Sequence, residues 1–248
     1  MPRMRYHMGC GEQRIEGYVG VDIRRTEVAE IVADLNEPKL PDGQHADVFF
    51  SHAFFEHLRR DSRATHLRAL RDGLAPGGVA CYIGLPDFRR IAELYLEGGP
   101  GVVGPTFDLY HVYRYTHGDP EHKADWWEAQ LHKSLFDAAE VGRLLRDAGY
   151  ASYVVFRYVF PGEDDALDLN LGFYASAEQR STDELERDCR AYLAEFDGRF
   201  VRLETLRFED GRSRPPVIAR AASGRPRKLV QRIAYGVAAR LARNTHPA

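Results

Sequence analysis

Arg5-Tyr6-His7-Met8-Gly9-Cys10-Gly11, followed by Tyr18-Val19-Gly20-Val21-Asp22-Ile23, is the stretch on which the reading of this chain turns. Arg5–Met8 reads as a short strand and Gly9-Cys10-Gly11 as a tight turn leaving it. Tyr18–Ile23 reads as a second strand, rich in β-branched and aromatic residues and closed by a carboxylate. Glycines at a strand exit let the backbone approach a ligand, because no Cβ stands in the way. A carboxylate at the tip of the next strand is placed to accept from the two hydroxyls of a ribose. A Gly-x-Gly alone is also an ordinary tight turn, so the pairing with Asp22 is what points to a nucleoside. A dinucleotide fits poorly: Glu12 and Gln13 follow Gly11 where a third glycine is wanted, and Glu12 repels phosphate. The eleven positions from Gly11 to Asp22 are too few for a full crossover helix.

Outward from that stretch the pattern stays α/β. Ile31–Leu35 is a third strand whose carboxylate, Asp34, suits the exocyclic amine of an adenine. Asp47–His52 is a fourth strand, running into the helical Ala53–Leu58. Asp61 is positioned to cap a helix in which Leu67, Leu70 and Leu74 recur at helical spacing. The breaker cluster Leu74-Ala75-Pro76-Gly77-Gly78 stops it, and Val79–Leu85 continues as a fifth strand. Phe136–Tyr150 carries a late helix with a capping box from Asp137 to Glu140.

In this order GCG, VDI, ADL, SHxxxEHL and LxPGG resemble the class I S-adenosylmethionine-dependent methyltransferases, over roughly residues 1–175. The resemblance implies a Rossmann-like, doubly wound, mostly parallel seven-stranded sheet with a C-terminal helical extension. It implies S-adenosylmethionine held by Gly9, Cys10, Gly11, Asp22, Ile23, Asp34, Leu35, Ser51 and His52. The chain departs from the pattern at His7, where the family usually carries an acid for the methionine amine. The GCG…EGYVGVDI spelling is more narrowly similar to actinobacterial sugar O-methyltransferases acting on methylated mannose polysaccharide precursors. That similarity implies methyl transfer to a hydroxyl of a small saccharide. Two other readings share the fold: a natural-product O-methyltransferase acting on a phenol or carboxylate, and a nucleoside-binding protein without catalysis.

A sugar hydroxyl is a poor nucleophile, so a positioned base is expected to add about 10²–10⁴-fold. His57, beside Glu56, and His132, ahead of the late helix, are the candidates. Each also has a packing role open to it. In some relatives an acid-rich form of the Glu56-His57 segment binds a divalent metal. Here the acid three positions earlier is Ala53, so no metal ligand set is expected, and magnesium is left open. Asp87, at the exit of the fifth strand, is placed to orient a histidine, bind sugar hydroxyls or form a turn.

Residues 100–130 crowd Phe107, Tyr110, His111, Tyr113, Tyr115, His117, Trp126 and Trp127 among hydrogen-bonding side chains. That mixture suits an acceptor-site lid, or equally a core or dimer contact. Residues 176–248 are expected to form an accessory extension. Ser181–Phe196 would be helical and Phe200–Phe208 a strand. Residues 228–242 would form a basic amphipathic helix for an anionic surface, this domain, or a twin in a homodimer.

Composition fits an ordinary globular domain: of 248 residues, 44% are hydrophobic and 29% charged. The absence of a leader-like start and the three cysteines without metal or disulfide spacing lead to the expectation of a cytoplasmic protein. A net charge of −3 gives no electrostatic ground for a nucleic-acid partner. No apolar run approaches the roughly 20 residues of a membrane span.

Overall fold

The structure, a computed structural model, describes residues 4–38, 45–118 and 130–211. Strands β1 (Arg5–Met8), β2 (Val19–Asp22), β3 (Ala29–Val32), β4 (Ala46–His52) and β5 (Leu74–Pro86) run parallel. They are joined by β6 (Ser152–Tyr158), β7 (Asn170–Ser176) and the short β8 (Arg207–Glu209). The sheet order is β3-β2-β1-β4-β5-β7-β6-β8, with β7 antiparallel to β5 and β6, and β8 antiparallel to β6. The expected seven-stranded sheet therefore has an eighth, edge strand. Only the end of Phe200–Phe208 contributes to it, because Leu203–Thr205 forms a 3₁₀ turn, with the Leu203 N–H donating to Asp197 at 2.9 Å.

Alternation along the central strands sorts the core into two layers. Phe49 of β4 and Ala80 and Tyr82 of β5 face α1 (Arg63–Asp72) and α4 (Ala138–Ala148), where Leu67, Leu70, Leu144 and Leu145 are buried. Val48 and Phe50, with Val79, Cys81 and Ile83, face α5 (Thr182–Leu193) and the segment after it. Cover on this second face explains how the short first crossover is tolerated. No helix lies between β1 and β2. Phe50 instead stacks on Phe196 at 4.4 Å, the Tyr18 and Tyr192 hydroxyls meet at 2.8 Å, and Arg5 lies 4.3 Å over the Tyr18 ring. Residues 176–211, expected to be accessory, are thus built into the same sheet and core, and a boundary at 175 falls inside β7.

Several expected boundaries move. β3 ends at Val32, so Asp34 stands on the following loop. Asp61 does not cap α1: Ser62 holds that position with no side-chain cap bond, and Asp61 pairs with Arg59 at 3.8 Å. β5 begins at Leu74, carrying the Pro-Gly-Gly breaker inside it, with Gly77 at φ +75° and a register shift opposite Ala46–Val48. Asp137 caps α4 by accepting from the Glu140 N–H at 2.7 Å, while the Glu140 carboxylate meets Arg63 and Arg143. Among the described residues the remaining α-helices are α2 (Phe88–Glu97) and α3 (Leu109–His117). Trp126, Trp127 and the basic helix expected at 228–242 lie outside the described residues. Among the described residues no helix is long and apolar enough to cross a membrane.

Candidate functional site

After β1 the chain winds outward to β2 and β3, then returns to β4 on the other side of β1. In open α/β sheets ligands bind at that reversal, outside the carboxyl ends of the strands. There the structure has a cavity of about 520 Å³. Gly9, Cys10 and Gly11 leave β1 into it, Asp22 and Ile23 leave β2, Asp34 and Leu35 follow β3, and His52 ends β4.

The glycine turn is left-handed at both glycines, with φ +67° at Gly9 and +53° at Gly11. A Cβ on Gly9 would come within 2.3 Å of the Phe54 ring. Phe54 reaches that place because Ala53 also adopts a left-handed conformation, φ +50°, at a cost of about 1–2 kcal/mol. The Gly9 and Cys10 N–H groups both donate to the Val21 carbonyl, at 2.8 and 3.1 Å. The Asp22 carboxylate is held from both sides. Its Oδ2 accepts from the Gly11 N–H at 2.8 Å and its Oδ1 from the Arg24 N–H at 2.9 Å. Each oxygen has a further lone pair for a ligand hydroxyl. Asp34 Oδ1 accepts from the backbone and side chain of Asn36, at 2.9 and 2.8 Å, and these bonds hold its carboxyl below the usual range.

The opposite wall is different in kind. Phe55–His57 forms a 3₁₀ turn after β4, anchored by Phe55, which stacks on Phe136 at 5.2 Å. Glu56 is buried at 2% exposure, and its Oε2 has no hydrogen-bond partner among the described residues. Burial pushes its carboxyl up to about 8. The Glu56 carbonyl accepts from the Lys133 and Ser134 N–H groups, which brings the 130–134 segment against this turn. The His57 and His132 rings are 5.1 Å apart, edge to face, and burial lowers both, His57 to about 4. His57, Gln130 and Lys133 line the cavity.

The expected site residues are not all at the cavity. Ser51 faces inward, its hydroxyl donating to the Met8 carbonyl at 2.8 Å, so it ties β4 to β1. His52, one residue on and of opposite parity, does line the cavity. Its ring stacks on Phe200 at 4.5 Å, and burial lowers it to about 4. Asp87 is fully buried, caps α2 through the Arg89 N–H at 3.0 Å and meets Arg157 at 2.6 Å. It does not line the cavity: its backbone bridges to Phe136, and its N–H donates to the Leu169 carbonyl at 2.8 Å. His7 lies below the cavity against Phe50, and neither ring nitrogen has a partner among the described residues. The acid that does line the cavity near that position is Glu12. Sequence reasoning also missed Phe54, Asn36, Arg24, Gln130 and Lys133. Phe54 stands inside SHxxxEHL, Asn36 directly follows ADL, Arg24 is two residues from Asp22 and Lys133 is beside His132, so each of these four had a motif near it.

No protein-family model matches the chain, and a search of curated proteins finds no match. Among solved structures it is similar to the CMeT domain of the citrinin polyketide synthase, at 12% identity over 72% of this chain and 47% of that one, TM-score 0.43. It is similar to the glycopeptide N-methyltransferase MtfA complexed with S-adenosyl-L-methionine, at 13% identity over 73% of this chain and 83% of that one, TM-score 0.44. It is also similar to the CcbJ methyltransferase from Streptomyces caelestis, at 15% identity over 71% of this chain and 84% of that one, TM-score 0.42. The chain spans less than half of the first of these. Likeness at this level assigns neither ligand nor chemistry to the residues of this cavity.

Proposed function

We propose that the chain is an S-adenosylmethionine-dependent O-methyltransferase whose acceptor is a hydroxyl of a small saccharide. One observation carries the cofactor: a left-handed glycine turn and a doubly anchored carboxylate, Asp22, line the same cavity at the reversal of strand order. Asp22 would take the ribose hydroxyls, and Asp34, Leu35 and Asn36 the adenine edge. Gly9 would lie under the sulfonium end, with Glu12 available to the methionine amine in place of His7. When bound, the cofactor supplies a methyl group on a sulfonium, open to in-line attack by an oxygen. The chain's part is to position that oxygen and to receive its proton, and His57, which lines the cavity, would be the residue to take it. The saccharide rests on the sequence: the similarity to sugar O-methyltransferases and the aromatic, hydrogen-bonding character of residues 100–130.

Calorimetry of the full chain with S-adenosylhomocysteine tests the cofactor. Binding is expected, and Asp22→Asn, which sets an NH₂ against one of the two backbone donors, weakens it about 10- to 150-fold, the worth of one charged hydrogen bond. Folded protein that takes up none of this nucleoside overturns the assignment. Release of S-adenosylhomocysteine, screened over saccharide and phenolic acceptors, tests the acceptor.

A further inference from the structure

His132 lies 75 residues beyond His57 in the chain, yet Glu56, His57 and His132 each bring one ligand-capable atom to within 4.8 Å of the other two. The two rings are held alike. His57 Nδ1 is 3.2 Å from the Leu131 carbonyl, and His132 Nδ1 is 2.8 Å from the Tyr115 carbonyl. A carbonyl oxygen only accepts, so each Nδ1 carries the ring proton and each Nε2 keeps its lone pair. Histidines that bind metals are held in this way, with the second nitrogen donating to a carbonyl that fixes tautomer and orientation. Glu56 is an independent sign. Its Oε1 lies 3.8 Å from His57 Nε2, while its buried Oε2 meets no donor among the described residues. A buried carboxylate oxygen without a partner costs on the order of 1–3 kcal/mol or more, a cost that coordination removes.

We propose that Glu56, His57 and His132 form a three-ligand site for a divalent cation of the zinc or ferrous type, on the cavity wall at His57. Two imidazole nitrogens and one carboxylate suit such ions, whereas magnesium takes oxygen ligands and keeps its waters. On one zinc ion the ligand atoms stand about 3.4 Å apart at bond lengths of about 2.1 Å. The three atoms, now up to 4.8 Å apart, therefore have to draw in by up to about 1.4 Å. Three protein ligands leave a fourth position for an oxygen, and a hydroxyl there loses its proton more readily. Lys133 lines the same cavity and opposes a cation by charge, which makes the Glu56 carboxylate the ligand the site most needs. Taking the acceptor hydroxyl as that oxygen rests on the function proposed above. The metal site itself does not. With the ion bound, His57 Nε2 is a ligand and no longer the base, so the proton of the hydroxyl passes to water in the cavity.

The test uses the full chain, stripped with EDTA, dialysed against zinc chloride, then against metal-free buffer. One zinc per chain is expected by mass spectrometry, and cobalt in its place gives the visible d–d bands of a low-coordinate site. Glu56→Gln, which keeps volume, and His132→Asn each weaken retention by more than the about 10- to 100-fold that loss of an outer-shell partner costs. Far-UV circular dichroism identifies any variant that fails to fold, in which case the other variant carries the test. Wild-type protein that retains no zinc, or equal retention in a folded variant, overturns the proposal. Neither readout involves nucleoside or acceptor, so failed nucleoside uptake and failed metal uptake are separate results.

Discussion

Along the β2 side of the cavity each carboxylate is satisfied before any ligand arrives. Asp22 accepts from Gly11 and Arg24, and Asp34 accepts twice from Asn36. Across the cavity, Glu56 is more deeply buried, its Oε2 meets no donor among the described residues, and the two histidines beside it each have one nitrogen held by a carbonyl. The first wall is a rigid cradle made by residues close in sequence. The second holds buried polar capacity that the described residues leave unused, at a cost in stability. A fold retains such a cost where something else meets it, and here that is a proton, a cation or a substrate oxygen.

The contrast breaks most severely at the other buried acid. Asp87 is as buried as Glu56, but Arg157 reaches it at 2.6 Å. Arg157→Met strands that charge, and unfolding in urea is expected to show a loss of about 3–5 kcal/mol. Nucleoside affinity should stay unchanged, since Asp87 is remote from the cavity lining. Glu56, its carboxyl raised to about 8 by burial, is mostly uncharged at neutral pH and its Oε2 meets no donor among the described residues, so Glu56→Gln should cost under about 1 kcal/mol, or give a gain. Equal penalties from the two substitutions would mean that Glu56 is partnered after all, and the distinction between the walls would fall.

Acid reads the same contrast through a third group. His66 is fully buried, with Nδ1 donating to the Leu35 carbonyl at 2.7 Å and Nε2 accepting from Tyr82 at 2.8 Å. Burial lowers its pKa from 6.5 to about 4. The folded state therefore binds fewer protons than the unfolded chain between those values. The stability is present above pH about 6.5 and lost as the pH falls to about 4, by about 3 kcal/mol for this group at 1.36 kcal/mol per unit. His7, His52 and His57 are lowered in the same direction, whereas Asp87, raised to about 6, and Glu56, raised to about 8, work against them in that window. Urea midpoints measured from pH 7 to pH 4.5 should fall for the wild type and fall less for His66→Gln. A parallel decline in the two would remove His66 as a source. Because its partner Leu35 lines the cavity, the same decline should carry nucleoside affinity down with it.

The sequence made the cradle legible and the second wall mostly not, for a physical reason. Gly9 through Asp22 is a local motif: a glycine turn and a strand-tip carboxylate eleven residues on, which hydrogen-bond to each other. The resemblance puts both Ser51 and His52 at the cofactor, but side-chain parity decides which way each faces, and of the two only His52 has the cavity side. Asp87 was rightly seen at a strand exit. The arginine that claims it comes from β6, 70 residues later. Glu56 and His57 were visible as a pair, but a search for an acid three positions earlier could not find His132. That residue arrives through two backbone bonds from Lys133 and Ser134 to the Glu56 carbonyl. Nor did the short first crossover announce that residues 182–206 would cover the face it leaves bare.

The smallest expected effect lies inside the cradle, at Asn36. Its backbone N–H and Nδ2 both donate to Asp34 Oδ1, and its own Oδ1 accepts from the Arg59 N–H at 3.0 Å. Asn36→Ala keeps the backbone bond and removes the other two, each worth about 0.5–1.5 kcal/mol at most on an exposed loop. The Asp34 carboxylate then turns more freely, so the change should appear as reduced discrimination more than as lost affinity. Calorimetry is expected to show S-adenosylhomocysteine binding weakened about 2- to 10-fold. S-inosylhomocysteine, whose base lacks the exocyclic amine, should be barely affected, because it never used the acceptor that Asn36 steadies. A loss of equal size for both ligands would place the base away from Asp34 and leave Asp22 as the one carboxylate of the cradle that touches the nucleoside.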